Sequence, residues 1–212
     1  YDDDSVERLN ESSLRMYYWD DGWILVNDSG VDTKNNIVWG NVSHLSVFTA
    51  LGVEKADFGL SEIGIPEKVV ETDLVTLSVN VSNSGGEGAS TLVQLYDVDA
   101  DYNVRLLGNV SVGLDVSESR EISAEWNASL GVHYIYVLTD PYDEVSESNE
   151  SNNIAFVQVN VSGLPDLVVR NIEFSRSEPI ETQKVVINAS IENIGHANAS
   201  NVSVGFYENG SL

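Results

Sequence analysis

The chain alternates apolar and polar residues with a period of two. In LVTLSVNVS (residues 74–82), Val75, Leu77, Val79 and Val81 share one face, while Thr76, Ser78, Asn80 and Ser82 share the other. A half-buried strand has this pattern because successive side chains project to opposite sides of the sheet. The same alternation recurs in STLVQLYDV, NVSVGL, REISAEW, VHYIYVLTD and NIAFVQVNV. Short strands about ten residues apart, separated by Gly, Asn, Asp and Ser, predict an all-β fold built of antiparallel sandwiches. No stretch carries a convincing helical period.

The pattern also repeats. DLVTLSVNVSNSGGEGASTLVQLY matches QKVVINASIENIGHANASNVSVGF at a shift of 110 residues, which sets Glu71-Thr72 on Glu181-Thr182 and Asn83-x-Gly85 on Asn193-x-Gly195. The openings ADFGLSEIGI and PDLVVRNIEF agree if one residue slips. One complete sandwich is therefore expected over residues 57–162, followed by the linker GLP and the N-terminal half of a second sandwich over 166–212. Residues 1–52 match neither copy. Their segments LRMYYWDDGWILV and IVWGNVSHLSVFTALG, joined by NDSGVDTKNN, read as three or four strands forming the C-terminal part of an upstream sandwich. A piece that small is marginal alone, so incomplete sandwiches are expected at both ends of a window cut from a longer polypeptide. Trp19, Trp23 and Trp39 then read as core or hairpin aromatics rather than a sugar-binding platform.

Composition narrows the function. The 34 Asp and Glu against 10 Lys and Arg give a net charge of -24, which repels phosphate backbones and excludes nucleic acid as a partner. There is no cysteine, hence no disulfide scaffold, zinc ribbon or thiol nucleophile. The chain opens on no signal peptide and contains no apolar run long enough to span a membrane.

Asn-x-Ser sequons stand out. There are twelve, at Asn10, Asn27, Asn41, Asn80, Asn109, Asn127, Asn149, Asn160, Asn188, Asn198, Asn201 and Asn209, where this composition gives about three by chance, so N-linked glycosylation is expected. An independent check is phase. Asn80, Asn109, Asn160 and Asn188 all sit opposite the apolar face of their predicted strands, as a glycan requires.

Catalytic material is sparse. His44, His133 and His196 lie in separate strands or turns, with neither metal spacing nor a nucleophile arrangement, and His133 reads as an exposed strand residue. Among cofactors only calcium is suggested, because hard oxygen ligands alone are on offer. The closest spacing is DVDADYN, with Asp97, Asp99, Asp101 and Asn103 at alternate positions, but Gly is missing at the sixth position and Gly108 stands where a bidentate Glu belongs. The competing reading is an acidic, exposed hairpin tip.

Three stretches carry a family resemblance: the opening ADFGLSEIGIP, the Asn83-x-Gly85 turn followed by AST and a strand ending in LYD, and the late segment DPYDEVSESNESNN. Together they resemble a CARDB domain, the cell adhesion related domain found in bacteria, and PDLVVRNIEF resembles the start of another. The resemblance implies immunoglobulin- or fibronectin-like sandwiches used in tandem on secreted or surface proteins, archaeal ones included, and no catalytic residue. DPYDEVSESNESNN is then a turn between two strands, with Asn149 the foremost sugar acceptor. The expected protein is a non-catalytic segment of a glycosylated surface protein, such as an S-layer component, adhesin stalk or filament subunit. Its expected partners are other copies of itself or other surface proteins, joined through cations or strand exchange. The alternative is a polysaccharide-binding accessory module of a secreted hydrolase, acting through Trp19, Trp23 and nearby tyrosines.

Overall fold

The computed structural model describes residues 1–207, and its regular structure is almost entirely strand. Besides a 3-10 turn at Glu11–Ser13, one short α-helix, α1 (Asp3–Val6), is found among the described residues; it is capped by the Asp2 carboxylate, which accepts from the Ser5 backbone N–H at 2.8 Å. A single turn is too short for periodicity to register.

The N-terminal region contains five short strands rather than three or four: β1 (Arg15–Trp19), β2 (Trp23–Leu25), β3 (Ser29–Asp32), β4 (Ile37–Gly40) and β5 (Phe48–Leu51). They form a three-stranded sheet in the order β2-β1-β5 and a separate β3-β4 hairpin. Its buried hydrophobic residues are Val6, Leu14 and Val26. The three tryptophans are not core residues: Trp19, Trp23 and Trp39 are 50%, 44% and 48% exposed. They are hairpin aromatics instead. Trp19 faces Trp23 directly across β1-β2, with ring centroids 5.2 Å apart edge to face, and Trp39 covers Gly30 across β3-β4.

The complete module contains β6 (Phe58–Leu60), β7 (Val69–Val70), β8 (Leu74–Asn83), β9 (Ala89–Asp99), β10 (Val104–Leu114), β11 (Ser119–Asn127), β12 (Gly131–Thr139) and β13 (Ile154–Ser162). A five-stranded sheet, β10-β9-β12-β13-β7, packs on a three-stranded one, β11-β8-β6. All four inward residues predicted on β8 are buried, as are Val93 and Leu95 of β9 and Ile135 and Val137 of β12. Burying each such side chain contributes about 1.5 to 3 kcal/mol. Phe58 fills one half of the core and Trp126 the other.

After the linker, β14 (Leu167–Phe174) pairs with β15 (Ile187–Asn193) and repeats the local construction of the first module. Asn83 Oδ1 accepts from the backbone N–H groups of Asp57 and Gly85, both at 3.1 Å, while its Nδ2 donates to the Glu87 carbonyl at 2.7 Å. Asn193 makes the equivalent bonds to Asp166, Gly195 and Ala197, at 3.0, 3.2 and 2.7 Å. The glycine in each turn is required by crowding: a Cβ on Gly85 would lie 2.1 Å from the Lys55 carbonyl oxygen, and one on Gly195 would lie 2.4 Å from that of Leu164. Thr72 and Thr182 also share a left-handed backbone, with φ of 73° and 69°, a conformation uncommon for a β-branched residue.

The same turn joins successive units. Asn10 Nδ2 of the N-terminal region donates to Glu87 at 2.6 Å. His196, in the second copy's turn, lies 3.1 Å from the Glu71 carboxylate of the first module, which also accepts from Leu164 N–H in the linker at 2.7 Å. The Leu164 bond, and then His196, hold the Glu71 carboxyl below its ordinary range.

Candidate functional site

The segment with the densest chemistry is the loop between β12 and β13, DPYDEVSESNESNN (residues 140–153). Asp140 begins it with a left-handed backbone and its two carboxylate oxygens accept from Glu144 N–H at 3.1 Å and Val145 N–H at 2.9 Å. This Asx-type closure is one that Asp favours, because its short side chain reaches its own downstream backbone. Glu150 closes the other half, accepting from Glu147 N–H at 2.8 Å and Asn153 Nδ2 at 3.2 Å.

Glu147 does something different. It is 4% exposed, and its carboxylate accepts from Phe58 N–H on β6 and from Asn153 Nδ2 at 3.1 Å. Asn152 Nδ2 reaches Asp57 at 2.8 Å, and Ser148 N–H donates to the Ala56 carbonyl at 2.8 Å. The loop thus clasps residues 56–58, where the chain passes from the N-terminal region into the module. Burial pushes the Glu147 carboxyl up to about 7; the Phe58 bond opposes this, and the charges of Glu150 and Asp140 add to it.

The hairpin tip places the three aspartates apart. Asp99 caps the β9-β10 turn, accepting from Asp101 N–H and Asn103 N–H at 2.9 Å and from Asn103 Nδ2 at 2.8 Å. The Asn103 bonds hold its carboxyl below the usual range. Asp101 projects into solvent, whereas Asp97 is buried on the core side. Its oxygens are taken by His133 Nδ1 at 2.7 Å and Trp126 Nε1 at 2.9 Å, with the Arg105 guanidinium at 3.5 Å. Among the described residues no group of three acids or histidines is arranged to hold a metal ion.

The reading of His133 as exposed is corrected here. The ring is 2% exposed and packs edge-on against Trp126 at 5.2 Å. Its sequence phase carried the signal: His133 is in register with inward Ile135 and Val137, as Asp97 is with Val93 and Leu95. The order Ser129–His133–Asp97 is that of a nucleophile, a base and an orienting acid, with Ser129 Oγ 3.2 Å from Nε2. Yet Nε2 also lies 3.0 Å from the Ser129 carbonyl oxygen. Through these contacts the ring ties the β11-β12 turn, at Ser129, to the buried Asp97 of the core.

Of the sequon asparagines, Asn27, Asn41, Asn80, Asn109, Asn127, Asn149, Asn160, Asn188, Asn198 and Asn201 are exposed and Asn10 is half-buried; Asn209 lies outside the described residues. The Nδ2 atom that would carry the sugar is bonded to Glu87 in Asn10 and to Asp28, at 3.1 Å, in Asn41. In Asn149, Oδ1 accepts from Ser151 N–H and Oγ at 3.2 and 2.7 Å, as Oδ1 of Asn10 does from Ser12 at 3.0 and 2.7 Å, but the Asn149 side chain is exposed.

The structure presents one β-sandwich with an Asn-bracketed turn and an acidic clasp, followed by a two-stranded repeat of the same bracketed turn, and the family model named CARDB matches residues 55–156 and again 164–212. The chain belongs to the CARDB family, a β-sandwich family associated with cell-surface proteins. Among solved structures it is similar to the CARDB domain of the PF1109 protein from Pyrococcus furiosus, described in complex with di-metal ions. The identity is 32%, the TM-score 0.47, and the match covers 52% of this chain and 92% of that one. The solution structure of the same domain matches at 33% identity and TM-score 0.46, over 51% and 96% of the two chains. A domain of a putative cell surface protein from Methanosarcina acetivorans matches at 23% identity and TM-score 0.42, over 50% and 92%. No curated protein matches the chain.

Proposed function

We propose that the chain is a non-catalytic structural segment of a glycosylated extracellular surface protein, of the kind found in S-layers, adhesin stalks or filaments. The observation that carries this reading is the exposure of ten sequon asparagines spread over all three regions. The complete module supplies its own core, and the neighbouring regions meet it through the Asn-x-Gly turns and the clasped residues 56–58. Glycans and carboxylates hydrate the surface and discourage pairing of open strand edges. With a net charge of -24, other copies or other surface proteins would associate only where cations or paired strands offset the repulsion.

The test is the intact mass of the native protein before and after deglycosylation. Losses corresponding to several glycans are expected, with Asn149 occupied and Asn10 not. A native mass equal to the polypeptide alone would sink the reading. A second reading, a ligand-binding accessory module, is favoured by one specific observation: the exposure of the Trp19–Trp23 pair.

A further inference from the structure

The outer face of a sandwich sheet ordinarily meets water and is polar. One part of the outer face of the five-stranded sheet is not. Its registers set Leu106 opposite Tyr96, Tyr96 opposite Tyr136 and Tyr136 opposite Phe156, so one row of apolar and aromatic side chains crosses four strands on a single face. Tyr136 and Phe156 stack with centroids 5.5 Å apart and planes at 27°, and Phe156 is 63% exposed. Val98 and Tyr134 extend the face on one side of this row, Gln94 and Leu138 on the other.

A groove of about 390 Å³ runs along this face, and none of its lining residues is charged, in a chain with 34 acids. Its floor is polar and ordered. Gln94 is only 5% exposed although it points away from the core; its Oε1 accepts from Tyr96 OH at 2.8 Å and its Nε2 donates to Tyr142 OH at 3.3 Å. Tyr142 forms one wall. It sits in the clasp loop's turn, closed by Asp143 N–H donating to the Asp140 carbonyl at 3.1 Å.

We propose that this face is a binding site for a neutral saccharide. Aromatic faces stack against the C–H surface of a sugar ring, while Gln94 and the tyrosine hydroxyls supply the few directed hydrogen bonds that orient a ligand in a mainly apolar groove. The absence of charge selects against anionic sugars. Size argues against a protein partner. Four strands about 4.8 Å apart and three rows about 6.8 Å apart cover roughly 400 Å², about half of the about 800 Å² per partner of a standard protein interface. Asn109, opposite Gln94, and Asn160, in phase with Phe156, place two sequons on the same face. The saccharide therefore has two sources: a free polysaccharide, or an N-linked glycan on another copy.

The test uses the 212-residue chain made without glycosylation, titrated by NMR with neutral glucan, mannan and chitin oligosaccharides and with an acidic oligouronate. Saturable shifts at Tyr136, Tyr142 and Phe156 are expected with a neutral oligomer and not with the oligouronate. Phe156→Ala and Tyr142→Ala, both at exposed positions, should weaken binding by about tenfold or more while leaving the melting temperature unchanged. Self-association of natively glycosylated but not deglycosylated chain, abolished by Phe156→Ala, would identify a neighbour's glycan as the source. The proposal is overturned if no neutral oligomer binds in either arm, or if Trp23→Ala rather than Phe156→Ala removes binding. It is equally overturned if unglycosylated chain dimerises through Phe156, which would make the face a protein contact.

Discussion

The two copies of the repeat share a sequence pattern and a set of turns, yet they bury very different amounts of it. Leu77, Val81 and Phe58 are fully buried in the first, while their counterparts Ile187, Ile191 and Leu167 are 40%, 38% and 41% exposed in the second. The asparagine bracket, the left-handed threonine and the crowded glycine form in both. These features need only two neighbouring strands and the turn between them. A core needs a second sheet, and among the described residues β14 and β15 pair only with each other. Turn chemistry is local; dryness is not.

Substitutions can break or sharpen this contrast. The largest effect is expected from Trp126→Ala, which removes a fully buried side chain and strips Asp97 of one of its hydrogen bonds. Equilibrium denaturation should show a loss of about 3 to 5 kcal/mol, with amide exchange across β14–β15 unaffected. Leu77→Ala should cost about 2 to 5 kcal/mol, whereas Ile187→Ala at the equivalent position should cost within about 0.5 kcal/mol. Equal costs at the two positions would mean that β15 is covered after all.

A pH titration probes the clasp of the complete module. The Glu147 carboxyl lies at about 7 in the folded chain against an ordinary 4.5, so the folded state holds its proton more tightly than the unfolded state does. The stability this contributes is full below about pH 4.5 and is lost as pH rises through 7. The loss is on the order of 2 to 3 kcal/mol by linkage. Urea denaturation at pH 5 and pH 8 should resolve it, and Glu147→Gln should flatten the difference while Glu150→Gln leaves most of it in place.

The smallest effect separates the two brackets. Asn83 is 1% exposed, so Asn83→Ala leaves buried backbone groups unpaired and should cost about 1 to 3 kcal/mol. In Asn193→Ala water can replace the lost bonds, and the cost should fall below about 1 kcal/mol. Thermal melts of the two variants compare them directly.

Much of this architecture was legible beforehand. β8 places Val75, Leu77, Val79 and Val81 inward as its alternation requires, and the 110-residue shift that aligns Asn83 with Asn193 aligns their hydrogen bonds too. The exposed side chains of Asn80, Asn109, Asn160 and Asn188 follow from the same phase. The misreadings have a common cause. Polarity suggests exposure for His133 and Asp97, but their phase points inward, where each satisfies the other across 36 residues of chain. Of the two readings of the tryptophans, core or hairpin aromatics, the hairpin one holds, because among the described residues the short strands of the N-terminal region leave no second layer deep enough to cover them.

Sequence alone determined the strand period, the turn residues and the repeat, because each depends on side chains a few positions apart. The tertiary structure decided which inward polar groups become partners, which outward aromatics line up in a row across four strands, and that Glu147 reaches Phe58 from 89 residues away. Those outcomes depend on register and on the packing of one sheet over another, and a one-residue slip in either would send the same side chains to the opposite face.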